Sequence, residues 1–466
     1  MAHSISPPAT HLPSVDTWPT PRADAASGND ARWLTPLLLL WVLKGVLLVA
    51  MIGPFTGHDE VDHFWYIVRL AEGNGLGVVG EVNLPPEAEP YRAYVADYPT
   101  NAEVIQPPLY HLLLAPISLL APDDPTARLT LLRLVSIPIG AGVVVLAYLI
   151  ARLLFPDNLL IRAGVPVVVA MQPQVAFEGA IVNHDILLIL LVCATLYLTL
   201  VGLRDGFSPE RQWLIGLIGG AGFWTKVSFG LVLPVVALAL ILVWRRTGKP
   251  WRALVPMLLR SIGLPLLLIV PWFVRSWWLY NDPTGASRLR EIPEYGEQAQ
   301  ALPEMLFSTP FWRQMIEDFW GNYGWRQIPL EPMVIRVIWV AWGLTLLGLA
   351  AGLARRWLPW RSLQTSAWST FQRQGVAMLA LSILLYISGV LYVGTIQFTQ
   401  ARFAFPAMVG VAMLALLGVQ GWLPVRWRPY ALPAVFVILM ALNTVVMLRF
   451  LIPFYYGPGG GAMSPP

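Results

Sequence analysis

The chain has 466 residues, of which 56% are hydrophobic and only 12% are charged, and its formal net charge is +4. A soluble domain carries about 25% charged residues, and the mean hydropathy of this chain is +0.60. The composition therefore excludes a globular enzyme held by one anchor and indicates a polytopic membrane protein with no nucleic-acid partner. The single cysteine, Cys193, lies inside an apolar run, so an internal disulfide is excluded.

The two ends of the chain differ in composition from the rest. Residues 1–32 are rich in Pro, Ser and Ala, and they lack the basic head and short apolar core of a signal peptide. We predict a disordered cytoplasmic tail there and a second disordered tail over 453–466. Residues 33–452 are then one transmembrane domain with two large extracytoplasmic loops, 54–129 and 279–332.

Eleven apolar segments are close to the roughly 20 residues that a helix needs to cross the hydrocarbon core. They are 33–53, 130–150, 163–181, 185–203, 212–225, 228–244, 254–278, 333–354, 375–396, 402–421 and 430–451. A further apolar stretch, 107–121, is either a short span or a helix lying in the interface. The predicted fold class is an all-α polytopic membrane protein with about 11 transmembrane helices and interfacial helices in a large first outer loop.

The charges of the loops decide between these two interpretations of 107–121. If this stretch lies in the interface and the N-terminus is inside, the loops rich in Lys and Arg all face the cytoplasm. These loops lie at 152–162, 204–211, 245–252, 355–373 and 426–428. The positive-inside rule therefore predicts an interfacial 107–121 and a multi-pass protein of the plasma (inner) membrane with a cytoplasmic N-terminus. The two long loops on the other side are acidic and aromatic, which predicts an ordered extracytoplasmic layer.

Lys44 lies in the middle of the first apolar segment, in "LLLLWVLKGVLLVA". An ammonium group at that depth has to face a protein interior or a water-filled cavity. A functional role and a structural partner both stay open for this side chain.

The stretch "GPFTGHDEVDHFWYIVRLAEG", residues 53–73, places three carboxylates directly after the first apolar segment. Its periodicity predicts an amphipathic helix along the interface, with an apolar side made of Phe64, Ile67, Val68 and Ala71. A carboxylate at the start of such a helix is also explained as an N-terminal cap.

Polar residues gather at the extracytoplasmic ends of the predicted spans. The catalytic candidates are Asp59, Glu60 and His63. The substrate-binding candidates are Gln106, Asn183, Asp185, Lys226, Trp320, Trp325, Gln400 and Arg402. A carboxylate can act as a general base, two cations suit a phosphate whose lipid tail lies between helices, and tryptophans can stack on sugars. Together these residues suit a reaction between a lipid-linked phospho-sugar and an acceptor from outside.

Each feature also has a structural explanation. Asn183 and Asp185 can cap a span, Lys226 and Arg402 can reach from the span ends to the interface, and the aromatic residues of "FWGNYGW" can form an interfacial belt. His58 and His63 beside the carboxylates match no strong metal-ligand signature. No metal ligand is therefore assigned, and a divalent metal near Asp59 stays open as a cofactor. All these features are predicted to lie at the extracytoplasmic face of the membrane, which favours a shared site.

The order of motifs along the chain carries a resemblance. It runs "HDEVDHF", "QPPLYHLLLAP", "EGAIVNHDILLILL", "GGAGFWTKVSFGLVLP", "FWGNYGW" and "TQARFAFP". This series resembles the GT-C class of integral membrane glycosyltransferases over roughly residues 33–450. Within the class it is most similar to an uncharacterised bacterial group with a "DE…H" first loop, and less so to protein O-mannosyltransferases and the lipid A aminoarabinose transferase.

The resemblance implies an inverting transfer of a sugar from a polyprenyl-phosphate donor to an extracytoplasmic glycan, lipid or protein. It implies that Asp59 activates the acceptor, that Glu60 supports it, and that Lys226 and Arg402 lie near the lipid phosphate. No large soluble domain follows the last span in this sequence, so we expect the two outer loops to recognise the acceptor.

Two other functions stay open. A transporter or flippase of a lipid-linked or anionic substrate would use Lys44 and the cations at the span ends. Transporters often contain internal repeats and broken helices near mid-membrane, and no repeat is evident in this sequence. An assembly or sensor protein would leave the motif series unexplained.

Overall fold

The computed structural model describes residues 27–81, 101–292, 296–357 and 368–457. Its α-helices, in chain order, are α1 (Ser27–Met51), α2 (Glu60–Ala71), α3 (Leu109–Ser118), α4 (Pro125–Leu154), α5 (Leu159–Met171), α6 (Pro173–Glu178), α7 (Asp185–Asp205), α8 (Pro209–Thr225), α9 (Leu233–Thr247), α10 (Leu254–Leu258), α11 (Leu264–Tyr280), α12 (Ala286–Arg290), α13 (Leu302–Phe307), α14 (Thr309–Trp320), α15 (Tyr323–Arg326), α16 (Pro332–Trp357), α17 (Thr370–Gly394), α18 (Met408–Trp422), α19 (Arg428–Val445) and α20 (Ile452–Tyr456). Shorter 3₁₀ or π-helical turns lie at Ala102–Ile105, Val227–Val232, Trp251–Ala253, Leu259–Gly263, Ala401–Ala407, Val425–Trp427 and Val446–Leu451. A two-residue strand, β1 (Ile328–Pro329), pairs with Asn322 and Tyr323.

These helices confirm the predicted all-α polytopic fold. Within the described residues, nine stretches are long and apolar enough to cross a membrane: Arg32–Met51, Pro125–Leu154, Asp185–Asp205, Val227–Thr247, Trp251–Tyr280, Pro332–Ala354, Thr370–Gly394, Ala401–Trp422 and Arg428–Tyr456. The other two predicted spans, 163–181 and 212–225, overlap α5, with 13 residues, and α8, with 17. Helix α3 has 10 residues, or about 15 Å at 1.5 Å per residue. That length is about half the hydrocarbon core, as the interfacial interpretation requires.

The helices extend into both segments that were predicted to be disordered tails. Helix α1 starts at Ser27, inside the predicted tail 1–32, and α20 occupies Ile452–Tyr456 at the start of the second tail. The first turn of α1, "SGND", is polar, so hydropathy marks the apolar part of the helix and misses this turn. Residues 1–26 and 458–466 of the predicted tails lie outside the described residues.

Lys44 has structural partners in the interior of the helix bundle. Its Nζ donates hydrogen bonds to the carbonyl oxygen of Ala170, at 2.6 Å, and to Oδ1 of Asn443, at 3.3 Å. The amide of Asn443 in turn donates to the carbonyl of Met171, at 2.6 Å. This network joins α1, α5 and α19, so the structural alternative accounts for the buried ammonium.

Small residues bring α16 and α18 into backbone contact. A Cβ placed on Gly421 would lie 2.1 Å from the carbonyl oxygen of Gly348, and one on Gly418 would lie 2.2 Å from that of Thr345. Helix pairs in membranes use such residues because close backbone approach maximises packing where apolar burial offers little. This contact anchors α18, the helix that follows the Ala401–Ala407 turn.

Helix α2 is packed into an outer layer over the ends of the spans. Phe64 and Ile67 are fully buried, and the ring of Phe64 meets Phe55 edge to face at 4.9 Å. The apolar side of α2 shares one cluster with residues of α3 and α4, including Tyr110 and Leu132. On the polar side Glu60, Asp62 and His63 are buried as well, whereas Arg69 is partly exposed, so the first two turns of α2 are more enclosed than the predicted interfacial helix. Its N-terminus is thereby held at a defined place above the spans.

Candidate active site

Asp59 lies immediately before α2 in a left-handed backbone conformation, with φ of 54°. Aspartate tolerates this region better than most residues, although non-glycine residues seldom adopt it. Its side chain makes no capping hydrogen bond to α2. The carboxylate instead forms an ion pair with the guanidinium of Arg402. An N-terminal helix cap therefore does not explain this carboxylate.

Glu60 turns away from Asp59 into the protein. Its side chain is fully buried and is bound by Arg133, whose Nη2 and Nε lie 2.6 and 2.8 Å from the carboxylate oxygens. The backbone N–H of Val182 also donates to Glu60, at 3.0 Å. Arg133 donates further to the carbonyl of Ile52 at the end of α1, at 2.7 Å. Glu60 thus connects the loop before α2 to α4. It does not line the cavity described below, and its catalytic role stays a prediction.

A chain of ion pairs joins the ends of four helical segments. Beyond its contact with Asp59, Arg402 donates from Nη1 to Asp185, at 3.2 Å. Lys226 donates to the other oxygen of Asp185, at 2.6 Å. Gln400 accepts from Nε of Arg402 at 2.6 Å, so it orients the guanidinium. When both acids are ionised, the two positive and two negative charges balance in this largely buried place.

Three members of this network, Asp59, Lys226 and Arg402, line a cavity of about 540 Å³, whereas Asp185 and Gln400 are not among its lining residues. Its charged and polar lining includes Asp59, Glu103, Gln106, Lys226 and Arg402. Its other walls come mainly from apolar residues of the Val227–Thr247 and Thr370–Gly394 spans, such as Leu231, Leu385 and Val393. The cavity can therefore hold a molecule with an anionic head and an apolar tail.

Phe403 is placed between the two cations of this cavity. Its ring centroid is 4.9 Å from Nζ of Lys226 and 5.1 Å from the guanidinium carbon of Arg402. Such contacts over an aromatic face stabilise cations without consuming their hydrogen-bond donors. Phe403 lies inside the motif "FTQARFAFP", but no role for it was predicted from the sequence.

His63 lies in a second polar cluster next to Asp59. Its Nδ1 is 2.9 Å from Nε2 of His111 and 3.9 Å from the carboxylate of Glu103. Nδ1 of His184 lies 3.5 Å from the same Glu103 oxygen. Sequence reasoning assigned no role to Glu103, His111 or His184. The available signal was their position inside or beside the "QPPLYH" and "NHD" motifs.

Burial dominates the electrostatics of this cluster. It lowers the pKa of His184 to about 4, with a further lowering by Lys226. It also lowers the pKa values of His63 and His111, and the neighbouring imidazoles add to the effect. The pKa of Glu103 is raised, first by burial and then by the charge of Asp59. The three imidazoles are therefore neutral at neutral pH.

Two of the remaining candidates, Asn183 and Trp320, are not among the described residues that line the cavity. Asn183 is buried behind it, donating to the carbonyl of His58 at 3.2 Å and accepting from the N–H of Asp185 at 2.8 Å, so it shapes the turn before α7. The ring of Trp320 packs against Trp342 of α16, at 6.3 Å between centroids. Trp325 belongs to α15, and its side chain lies outside the described part of the structure.

The comparison with known protein families bears on this arrangement. Residues 106–274, which include Gln106, Asp185 and Lys226, match the family model described as dolichyl-phosphate-mannose-protein mannosyltransferase. The chain is similar to GT-C membrane glycosyltransferases. This match confirms the resemblance that the motif series indicates. It covers about a third of the sequence and includes neither Asp59 nor Arg402.

One solved structure adds a more distant similarity. ArnT from Cupriavidus metallidurans, solved bound to undecaprenyl phosphate, is 14% identical in sequence, and the alignment covers 93% of this chain and 74% of that one with a TM-score of 0.45. No curated protein sequence matches the chain. The roles of individual residues therefore have to be argued from the geometry of the site itself.

Proposed function

We propose that this protein is an inverting glycosyltransferase that moves a sugar from a polyprenyl-phosphate donor to an extracytoplasmic acceptor. The observation that carries the proposal is the composition of one cavity. A carboxylate, two cations and two apolar helix faces meet there, and these are the groups that an acceptor hydroxyl, a phosphate and a lipid chain need. The basic loops on the opposite side support a site on the extracytoplasmic face of the plasma membrane.

The class of donor is inferred from the two kinds of side chain that line the cavity, cationic and apolar. Lys226 and Arg402 suit a phosphate group, since cations near a buried anion form strong charge-assisted hydrogen bonds. The apolar side chains of α17 and of the segment after Lys226 form a wall against which a prenyl chain can pack. The description of the family that matches residues 106–274 contains a dolichyl-phosphate sugar, which supports a donor of the same class. A volume of about 540 Å³ accommodates the reacting end of such a molecule.

The chemistry needs one base and a cation-stabilised leaving group. The acceptor oxygen or nitrogen attacks the anomeric carbon from the face opposite the phosphate, and the bond between that carbon and the phosphate oxygen breaks. The acceptor proton passes to the carboxylate of Asp59. Lys226 and Arg402 stabilise the negative charge that the departing prenyl phosphate gains. No acid is required for the leaving group, because a phosphate leaves as an anion at neutral pH.

The ion pair between Asp59 and Arg402 suggests the order in which the donor and the acceptor take part in the reaction. The guanidinium of Arg402 pairs with the carboxylate of Asp59 and neutralises its charge. A donor phosphate competes for the same guanidinium, so its arrival loosens the pair and frees Asp59 to accept a proton. Donor binding before acceptor activation is the order we propose. It keeps the base occupied until a leaving group is in place.

The positions of these residues favour transfer over transport. Asp59 follows the first span, Asp185 begins another, and Lys226 and Arg402 lie at the starts of two more. The ion-pair chain thus lies at the ends of the spans. Lys44, the ammonium in the middle of the first span, does not offer an alternating-access site, since it is bound to α5 and α19.

The direct test uses the full chain in lipid nanodiscs with short polyprenyl-phosphate sugars and a panel of acceptors. We expect formation of prenyl phosphate together with a glycoside whose anomeric configuration is inverted relative to the donor. A product of retained configuration would refute the mechanism. Movement of intact donor between leaflets with no cleavage of the sugar bond would refute the transferase and support the flippase alternative.

Replacing Arg402 by Gln is expected to weaken donor binding by about 10- to 100-fold, since a hydrogen bond to a charged group contributes about 1.5–3 kcal/mol. The measurement is the dissociation constant for prenyl phosphate, by a fluorescent analogue or by calorimetry. The control is Arg313→Gln, which removes an arginine that pairs with Glu317 in α14, outside the cavity. Equal donor affinities in Arg402→Gln and the control would remove Arg402 from the phosphate site.

A further inference from the structure

His63, His111, His184 and Glu103 come together from four separate segments of the chain. His63 lies in α2, His111 in α3, His184 in the turn before α7, and Glu103 in the Ala102–Ile105 turn. The three imidazoles can each offer one nitrogen, and these nitrogens all lie within 4.8 Å of one another. Glu103 approaches the same place, with one oxygen 3.9 Å from Nδ1 of His63 and 3.5 Å from Nδ1 of His184.

We propose that these four side chains form a zinc site with three nitrogen ligands and one carboxylate oxygen. Zinc bonds of about 2.0–2.1 Å in tetrahedral geometry separate neighbouring ligand atoms by about 3.3–3.4 Å. The measured separations of 2.9, 3.5 and 3.9 Å bracket that value. The three nitrogens lie within 4.8 Å of one another, so the side chains have to rotate to bring all four ligand atoms around one ion.

The hydrogen bonding of the cluster supports a cation. Nδ1 of His184 and the Glu103 oxygen nearest to it are both buried, and neither takes part in a hydrogen bond. Buried polar atoms in folded proteins nearly always have a partner. His63 and His111 bond only to each other through the nitrogens that face the cluster. A shared ion would give a partner to Nδ1 of His184 and to the Glu103 oxygen, while Nε2 of His63 and Nδ1 of His111, which are also buried without a hydrogen bond, would stay outside its coordination.

The surroundings of the cluster also suit a metal. The side chains of His63, His111 and His184 are buried, and the nitrogen of a neutral imidazole is a common metal ligand. A divalent ion would favour the ionised form of Glu103 and offset the effect of its buried surroundings. Outside the cluster, Nε2 of His184 lies 3.4 Å from Asp185. A carboxylate behind a zinc-bound histidine orients the ring and strengthens its bond to the metal.

Four protein ligands fill a tetrahedral site, so this zinc would be structural. It would fasten α2, α3 and the Ala102–Ile105 turn to the start of α7. Glu103 and Asp59 both line the donor cavity, and the ion would fix the wall that carries them. The site would also account for the position of His63, one turn beyond Asp59, without requiring it to touch the substrate.

The test is zinc content, measured by mass spectrometry on untagged full-length protein after dialysis against zinc at micromolar concentration and then against buffer. We expect one zinc per chain. Replacing His111 by Gln should weaken zinc binding by more than about 100-fold, since even the loss of an outer-shell partner costs 10- to 100-fold. The control is the double variant His3→Gln/His11→Gln, which removes two histidines outside the described residues and should keep the zinc.

A second measurement holds even if the His111 variant fails to fold. Wild-type protein loaded with cobalt should show the visible absorption of a four-coordinate ion with nitrogen and oxygen ligands. Wild-type protein that retains no zinc, an octahedral cobalt spectrum, or equal zinc content in His111→Gln would each overturn the proposal. Because these readouts use no donor, zinc binding without sugar transfer would refute only the proposed function, and transfer without zinc only the metal site.

Discussion

Replacing Asp59 by Asn is expected to lower the turnover of sugar transfer by about 100- to 10,000-fold, the usual cost of losing a positioned proton acceptor. Asparagine keeps the size of the side chain and can still accept a hydrogen bond from Arg402, but it cannot take the acceptor proton. The measurement is single-turnover formation of the glycoside at saturating donor. Donor affinity in the same variant should change much less than turnover.

The control for this variant is Asp205→Asn. Asp205 also pairs with an arginine, since its carboxylate lies 2.7 Å from Nε of Arg204. It lies at the opposite end of α7 from Asp185, which is about 30 Å away along a 21-residue helix. We expect this variant to transfer sugar at the normal rate. If Asp59→Asn does the same, Asp59 is not the base; if it loses only donor affinity, Asp59 serves to position Arg402.

Replacing Arg133 by Met is expected to destabilise the fold by about 3–5 kcal/mol, because it leaves the buried carboxylate of Glu60 without its cation. The side chains of Glu60 and Arg133 are 0% and 3% exposed, so water cannot replace the lost partner. The measurement is thermal unfolding of the detergent-solubilised protein. The double change Glu60→Gln/Arg133→Met removes both charges and should recover part of the loss.

The matched control lies on the same helix. Arg128 of α4 pairs with Asp123, whose carboxylate is exposed, so Arg128→Met should leave the unfolding temperature nearly unchanged. A small effect of Arg133→Met would show that Glu60 is not an essential anchor. A Glu60→Gln protein of normal stability with strongly reduced turnover would restore the catalytic role that the sequence motif suggests for Glu60.

The adjacent residues Asp59 and Glu60 show where sequence reasoning stops. Both carboxylates belong to one motif, and nothing in the local sequence separates their roles. The left-handed backbone at Asp59 sends its side chain to Arg402, and the next residue begins α2 with its side chain directed at Arg133. The distinction depends on two cations that lie 343 and 73 residues away along the chain.

The histidines show the same limit more strongly. His63, His111 and His184 are spread over about 120 residues and follow no metal-binding spacing. Only the packing of α2 and α3 over the start of α7 makes them neighbours. Trp320 shows the opposite case, a residue that was predicted to bind substrate but packs within the protein. An aromatic residue in an outer loop can also pack against a span, as Trp320 does against Trp342.

The sequence by itself determined the class of the protein, the approximate positions of its spans and the segments that carry the polar site residues. These properties are local, since a membrane helix is marked by its own apolar run. Only the tertiary structure decided that Asp59, Arg402, Asp185 and Lys226 form one chain of ion pairs beside an apolar cavity. The physical reason is that charge pairing and cavity shape depend on contacts between segments hundreds of residues apart, which no local pattern encodes.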